Sequence, residues 1–218
     1  MIIVSSGAIP CGLEALGLPL RRPDDMPTVQ AAASVGQRAL LAAYDQVFSP
    51  YGMLTSLVLL TRHDTARRTS YLHARDALLR LVELGVVPVV NENDTVTVDE
   101  IKFGDNDTLA AIVACCAQAD LLVLLSDIDG LYTANPHTHP DAKLIPLVRE
   151  ITPAVMALAD GAGSALGTGG MATKLRAARM VTGSGADMVI ANGAHPELLY
   201  DIAAGKPAGT RFTGHKED

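Results

Sequence analysis

A glycine-rich stretch precedes a segment of helical period and reads Gly167-Thr168-Gly169-Gly170-Met171-Ala172-Thr173-Lys174. Glycines let the backbone approach a ligand closely, and the free N–H groups and dipole of a helix N-terminus favour an anion. Thr168 and Thr173 add hydroxyl donors, and Lys174 supplies a charge that could follow a moving phosphoryl group. We predict a phosphate-binding loop rather than a simple helix cap. It is not a P-loop, because Lys174 follows the last glycine by four residues.

Two polar clusters flank predicted elements in the first half of the chain. Asn91-Glu92-Asn93-Asp94 follows an apolar run, and Gly104-Asp105-Asn106-Asp107 opens the next helix, with Lys102 between them. Carboxylate and amide groups at the carboxyl end of a sheet can hold an ammonium group, orient lysines, or bind Mg²⁺ through water. Two Asx turns and a helix cap are the competing interpretation. The number of short polar groups favours a ligand pocket.

Two further polar turns also follow apolar runs. Ser126-Asp127 opens the stretch that continues to Thr133 and includes Asp129-Gly130 and Tyr132. A hydroxyl and a carboxylate there suit the ribose or phosphate of a nucleotide, and a plain β-turn is an equal alternative. Ser5-Ser6-Gly7-Ala8 follows the first apolar run, where backbone amides could meet a substrate carboxylate.

The elements that must position these residues alternate between strand and helix. Near-continuous apolar runs predict buried strands at Ile2–Val4, Leu54–Leu60, Val86–Val90, Leu121–Leu125 and Met188–Ala191. Helical periods with polar starts and glycine ends predict helices at about Val29–Phe48, Arg68–Leu84, Asp107–Ala117, Pro153–Ala159 and Met171–Gly183. This alternation is typical of an α/β fold with a mainly parallel sheet between two helical layers, whose ligands bind beyond the carboxyl ends of the strands.

Composition narrows the class of protein. The chain has 218 residues, 49% of them hydrophobic and 19% charged, which indicates a globular fold rather than disorder. Its net charge of −7 and lack of basic runs argue against nucleic acid as a partner. No apolar run is long enough to cross a membrane, and no signal segment precedes the first strand, so we predict a cytoplasmic protein.

Several common sites are absent from the sequence. Cys11, Cys115 and Cys116 show neither a disulfide pattern nor metal-ligand spacing, and we predict no metal site built from the protein alone. The motifs GxSxG, HExxH, the protein-kinase HRD and DFG set, and GxGxxG after a strand do not occur. Hydrolase, zincin, protein-kinase and dinucleotide-binding functions are therefore disfavoured.

Taken in chain order, these motifs closely resemble those of the glutamate 5-kinases in the amino acid kinase family. The resemblance covers nearly the whole chain, with Gly209-Thr210-Arg211-Phe212 similar to the closing strand of the family. It implies the three-layer, carbamate kinase-like fold and ATP-dependent phosphorylation of the L-glutamate side-chain carboxylate to γ-glutamyl phosphate. It further implies Mg²⁺ as cofactor, a place at the first step of proline biosynthesis, feedback inhibition by proline, and a homo-oligomer.

The resemblance also implies roles for individual residues. Ser6, Asp94 and Asn106 match the glutamate-contacting positions of the family. The nucleotide-contacting positions are matched by Ser126, Asp127 and the loop Thr168, Gly169, Gly170, Met171, Ala172, Thr173 and Lys174, where Ser126 replaces the more usual threonine. The catalytic pair is Lys174, on the passing phosphoryl group, and Asp107, which resembles the carboxylate that organises the catalytic lysines.

The sequence departs from the family pattern at its start. Family members carry an earlier strand and helix with a Lys-x-Gly-Ser/Thr turn, and that lysine has no counterpart here. Losing such a contact would cost on the order of a hundred- to a thousandfold in rate. We expect a kinase domain over residues 1–213, incomplete at its N-terminus through truncation or a misplaced start codon, followed by a polar tail at 214–218 without a PUA domain.

Two alternatives to a glutamate kinase remain. One is a module that binds an amino acid and a nucleotide without catalysis, and the other is a different small-molecule kinase of the same fold, such as a nucleotide or acetylglutamate kinase. In each case we expect the glycine stretch around position 170 and the pocket near 94–107 to converge on one crevice.

Overall fold

The computed structural model describes residues 1–97, 106–136, 138–159 and 170–215. The chain divides into two compact units, Met1–Leu109 and Ala110–Asp218. The elements that begin in the first unit are, in order, β1 Ile3–Val4, α1 Ala8–Ala15, α2 Met26–Phe48, a 3₁₀ turn Ser49–Tyr51, β2 Thr55–Leu60, α3 Arg62–Ala66, α4 Arg68–Glu83, β3 Val87–Glu92 and α5 Asn106–Cys116. Helix α5 continues into the second unit.

The first unit contains a three-stranded parallel sheet in the order β1-β3-β2. Val4 lies beside Val90, and Leu60 lies beside Glu92, so all three strands end at one edge. β3 is the central strand and is buried along its whole length. Side chains that follow β1 and β3 are consequently brought to the same edge.

Helices α1 and α2 pack at very short distance through two glycines. A Cβ atom on Gly12 would lie 1.7 Å from the Ala32 carbonyl oxygen, and one on Gly36 would lie 1.7 Å from that of Ala8. Only a residue without a side chain fits at either position. This contact holds α2, which begins with an Asp25 cap on the Thr28 amide, against the segment that follows β1.

The second unit holds a mixed sheet in the order β4-β6-β7-β5. Its elements are β4 Leu121–Ser126, β5 Leu147–Val148, α6 Pro153–Ala157, α7 Met171–Gly183, β6 Asp187–Asn192, α8 Leu198–Ala203 and β7 Thr210–Phe212. β4 and β6 are parallel, whereas β7 runs antiparallel to β6. The buried strand β6 and the buried side of α7, which includes Leu175, Ala178 and Val181, form its core.

The predicted α/β class with mainly parallel pairing is confirmed, and all five predicted strands and five predicted helices occur with shifted ends. Helices α1, α3 and α8 and the strand β5 were missed. The α1 segment contains Pro10 and Gly12, which disfavour a helix in isolation. Its helical state depends on packing against α2. Among the described residues, no helix combines the length and apolar character that a membrane span requires.

Candidate functional site

The amide of Asn106 joins three segments at the carboxyl edge of the first sheet. Its nitrogen lies 2.6 Å from the Ser6 hydroxyl, 2.8 Å from the Ser5 carbonyl oxygen and 3.2 Å from the Asn91 side-chain oxygen. Ser5 and Ser6 follow β1, Asn91 lies near the end of β3, and Asn106 opens α5. The strand register makes this possible, because β1 and β3 are parallel neighbours.

Neighbouring hydrogen bonds hold this cluster in place. The Ser5 amide donates to the Val90 carbonyl oxygen at 2.9 Å, and the Ser5 hydroxyl lies 2.9 Å from the Tyr44 hydroxyl of α2. Asn91 also accepts from the Glu92 amide. The sequence analysis did not identify Tyr44, since a tyrosine inside a long apolar helix gives no signal of a contact with the β1 turn.

Two other residues predicted for the first-unit site are described. Asp94 follows β3 and is half-buried, and Asp107 lies in the first turn of α5. Both engage in polar interactions. Gly104, Asp105 and Lys102 lie outside the described residues.

In the second unit, polar residues meet at the carboxyl ends of β4 and β6. Ser126 pairs with Asn192 in the strand register, and the Gly193 amide donates to the Ser126 carbonyl oxygen at 2.7 Å. The Ser126 hydroxyl donates to Asp127 at 3.1 Å. The two residues predicted to contact a nucleotide, Ser126 and Asp127, therefore lie where a hydrogen bond from the loop after β6 holds the backbone at the end of β4.

Asp129 is held by one side chain at the end of β6 and one in the loop after β4. The Asn192 amide donates to it at 2.7 Å and the Tyr132 hydroxyl at 2.9 Å. These two hydrogen bonds lower the pKa of the Asp129 carboxyl, and the bond to Asp129 raises the pKa of Tyr132. Asn192 was not identified from the sequence, since only strand pairing shows that it lies beside the turn after β4.

Among the described residues, no side chain caps the N-terminus of helix α7. Gly170 is the capping residue, and the Thr173 hydroxyl donates to its carbonyl oxygen at 2.7 Å. α7 leads into β6, which is parallel to β4, and a crossover helix runs antiparallel to the strands that it connects. The start of α7 consequently lies toward the carboxyl ends of β4 and β6. Lys174, in its first turn, is only 8% exposed.

Three predictions lie wholly or partly outside the described residues. Gly167, Thr168 and Gly169 of the predicted phosphate loop lie outside the described residues, so the structure describes only the part of the loop from Gly170 to Lys174. The expectation that this loop and the pocket near 94–107 share one crevice stays a prediction. The extent predicted for the kinase domain, residues 1–213, also stays a prediction.

The α/β fold with polar residues at the strand ends defines the class of protein, and comparison with known proteins identifies the family. The model of the amino acid kinase family matches residues 1–192, and the chain belongs to that family. It is 51% identical over 217 residues to a glutamate 5-kinase of Geobacter sulfurreducens and 52% identical over 223 residues to one of Dehalococcoides mccartyi strain 195. These alignments include the whole chain but only 58% and 60% of the relatives, so the chain spans about three fifths of their length.

Solved structures share the fold of this chain. Isopentenyl phosphate kinase of T. acidophilum superposes with a TM-score of 0.62 at 20% identity, covering 97% of this chain and 83% of that one. Carbamate kinase of Giardia lamblia, solved with bound AMP-PNP, gives a TM-score of 0.62 at 17% identity, covering 98% and 83%. The predicted carbamate kinase-like fold is thus confirmed.

Proposed function

We propose that this chain catalyses ATP-dependent phosphorylation of the L-glutamate side-chain carboxylate, giving γ-glutamyl phosphate for proline biosynthesis. The observation that carries the proposal is the hydrogen bond between Asn106 and Ser6, two residues that match glutamate-contacting positions of the family. Identity of about 50% to curated glutamate 5-kinases supports the same substrate.

In this proposal the first unit binds the amino acid. The Asn106 nitrogen already donates to protein oxygens, so its carboxamide oxygen is the end that a ligand ammonium group would meet. The Asp94 carboxylate supplies the negative charge that an ammonium group requires, and the Ser6 hydroxyl can donate to a carboxylate. Together these groups suit a zwitterionic amino acid.

The second unit binds the nucleotide in the same proposal. Ser126 and Asp127 contact the nucleotide, while the amides of the loop ending at Lys174 receive its phosphates. No cluster of three metal-ligating side chains occurs in the parts of the chain that the structure describes. In proteins Mg²⁺ binds chiefly to nucleotide phosphates and water with one or two carboxylates, and Asp127 would supply such a carboxylate beside the nucleotide. The ion would neutralise phosphate charge.

The reaction places few chemical demands on the protein. A glutamate carboxylate has a pKa of about 4.3 and is ionised at pH 7, so no general base is required. Catalysis then consists of holding the two ligands in line and stabilising charge on the transferred group. Lys174 would stabilise that charge, and Asp107 matches the family carboxylate that organises the catalytic lysines.

The test is a coupled assay of ADP release by the full chain. We expect turnover that depends on L-glutamate, with at most background rates for aspartate, N-acetylglutamate and UMP. Turnover with one of those acceptors instead would identify another kinase of this fold. Calorimetry that shows binding of ATP and glutamate without any turnover would identify a non-catalytic binding module.

Further properties belong to the same proposal. The motif resemblance implies feedback inhibition by proline and a homo-oligomeric assembly. We place the protein in the cytoplasm, which the spacing of its three cysteines in the sequence favours. Equilibrium binding of radiolabelled proline, and its competition by glutamate, would test the inhibition.

A further inference from the structure

The turn that follows β4 carries two carboxylates, and their hydrogen-bond partners differ. Asp127 accepts from the hydroxyl of its neighbour Ser126 at 3.1 Å. One oxygen of Asp129 accepts from the Asn192 amide at 2.7 Å, and its other oxygen accepts from the Tyr132 hydroxyl at 2.9 Å. Because both oxygens of Asp129 meet protein donors, this carboxylate is directed at the protein, whereas the bond to Asp127 comes from within the turn itself.

The side chain of Asn192 extends this contact to the loop after β6. Its amide oxygen accepts from the Ala194 backbone amide at 2.9 Å, while its amide nitrogen donates to Asp129. Each end of the amide therefore has a partner, and this fixes the orientation of the side chain. A single residue thus connects the loop after β6 to the turn after β4.

Two other contacts anchor the ends of the same turn. At its start, the Gly193 amide donates to the Ser126 carbonyl oxygen at 2.7 Å. At its end, the Leu131 amide donates to the hydroxyl of Thr210, a completely buried residue of β7, at 2.8 Å. Asp129 lies between these two anchors, so its carboxylate holds the middle of the turn.

The contacts of Asp129 lie at the protein surface. Asp129 is exposed, and Asn192 and Tyr132 are partly exposed. Exposed hydrogen bonds and charges contribute little to the stability of a fold, because water competes for the same groups. The two hydrogen bonds also lower the pKa of the Asp129 carboxyl, so it stays ionised and acts only as an acceptor. This arrangement suits the control of a turn's shape better than the stabilisation of the whole unit.

We infer that Asp129 is a positioning residue for nucleotide binding, which acts through Asn192 to hold the turn that presents Ser126 and Asp127. The inference rests on the proposed nucleotide-binding role of those two residues. A turn that is already held in its binding conformation loses less conformational entropy when the ligand arrives, so it binds more tightly. Removing the Asp129 carboxylate weakens nucleotide binding and leaves the fold intact.

Alanine replacement gives the first test. In calorimetry of the full chain with ATP and Mg²⁺, Asp129→Ala should raise the Kd for ATP by about five- to twentyfold. Its urea unfolding midpoint should stay close to that of the parent, which separates positioning from a general loss of structure. The matched control is Asp120→Ala, an exposed carboxylate just before β4. It lies at the opposite end of the strand, roughly 20 Å away, and should leave the Kd unchanged.

Exchanging the two side chains gives the second test. Asn192→Asp alone places two carboxylates in contact and should raise the Kd for ATP by about thirtyfold or more. In the double variant Asp129→Asn/Asn192→Asp, the amide and the carboxylate trade places. The carboxylate at position 192 can accept from the Ala194 amide, and the amide oxygen at position 129 can accept from Tyr132. The Kd of the double variant should return to within about threefold of the parent value.

Three results would overturn the inference. They are a folded Asp129→Ala variant that binds ATP as tightly as the parent, an equal loss of affinity in Asp120→Ala, and a natively folded double variant that binds as weakly as Asn192→Asp. A parent chain that binds ATP but does not phosphorylate glutamate would refute the proposed activity and leave these comparisons valid. A parent chain that does not bind ATP at all would refute both.

Discussion

The side-chain nitrogen of Asn106 lies 2.6 Å from the hydroxyl oxygen of Ser6, although 100 positions separate the two residues in sequence. The contact exists because β1 and β3 are parallel neighbours and α5 begins beyond their shared edge. It also engages the nitrogen end of the Asn106 amide, which in the proposed function leaves the amide oxygen to the ligand.

Replacing Asn106 tests the proposed amino-acid site. We expect Asn106→Ala to raise KM for glutamate by about ten- to a hundredfold, because in the proposed site it removes the amide that positions the ligand. KM for ATP should change much less. Steady-state kinetics with each substrate varied separately would measure both. Asn135→Ala, in a turn of the second unit, serves as the control, and an unchanged glutamate KM in Asn106→Ala would contradict the assignment.

Replacing Lys174 tests the proposed transition-state contact. Lys174→Met should lower kcat by about a hundred- to a thousandfold, the usual effect of removing a charge-stabilising donor. Thermal unfolding of the variant must remain cooperative, since Lys174 is largely buried. Lys143→Met removes an exposed lysine and should retain the parent kcat. A folded Lys174→Met enzyme with undiminished kcat would rule out this role.

Alanine at Gly36 should strongly destabilise the protein. The new Cβ would overlap the Ala8 carbonyl oxygen, so α1 and α2 must separate, at a cost of about 2–4 kcal/mol in unfolding free energy. Gly183→Ala, where a Cβ meets nothing within 4 Å, should be neutral or stabilising by up to about 1 kcal/mol. Urea denaturation would compare the two variants, and similar midpoints would refute the close contact.

We expect that replacing Gln37 with an apolar residue of similar shape stabilises the protein. Its side chain is 5% exposed, and both amide atoms are without a hydrogen-bond partner among the described residues. Gln37→Met keeps the shape and removes the buried polar atoms, which should raise unfolding free energy by about 1–2 kcal/mol. Gln46→Met, exposed on the same helix, should change it by less than about 0.5 kcal/mol. A loss of stability in Gln37→Met would indicate that the amide has a partner after all.

We expect the Asp187 carboxylate to contribute to the free energy of unfolding in a pH-dependent way. Burial acts to raise the pKa of the Asp187 carboxyl. Hydrogen bonds from the Gly214 amide and from Arg211, together with the positive charge of Arg211, outweigh this effect, so the pKa is lowered. A lowered pKa adds stability that is present above the ordinary value of 3.8 and is lost as pH falls through the folded-state value. Asp187→Asn should therefore cost about 1 kcal/mol at pH 7, and less below pH 3.8.

Unfolding of both proteins at several pH values would measure this difference. Asp76→Asn, which affects an exposed ion pair with Arg75, is the control and should show little change at any pH. A constant difference between the Asp187→Asn variant and the parent across the acid range would contradict the pKa argument.

Local patterns were sufficient to predict most of the elements. Apolar runs such as Leu121 to Leu125 and the helical period of α7 depend only on residues close in sequence. The polar turns after β1, β3 and β4 were recognised for the same reason, and their motifs sufficed to indicate the amino acid kinase family. The short helix α1 was not predictable, because Pro10 and Gly12 oppose it locally and α2 stabilises it from outside the segment.

The sequence by itself thus determined the order of strands and helices and which residue types stand at their ends. Tertiary structure alone decided which of those ends meet. Strand pairing places Asn192 beside Ser126 and Asn106 beside Ser6, and helix packing places Tyr44 beside Ser5. The physical reason is that propensity and periodicity act over a few residues, whereas strand register and helix contact are settled by burial among segments far apart in the chain.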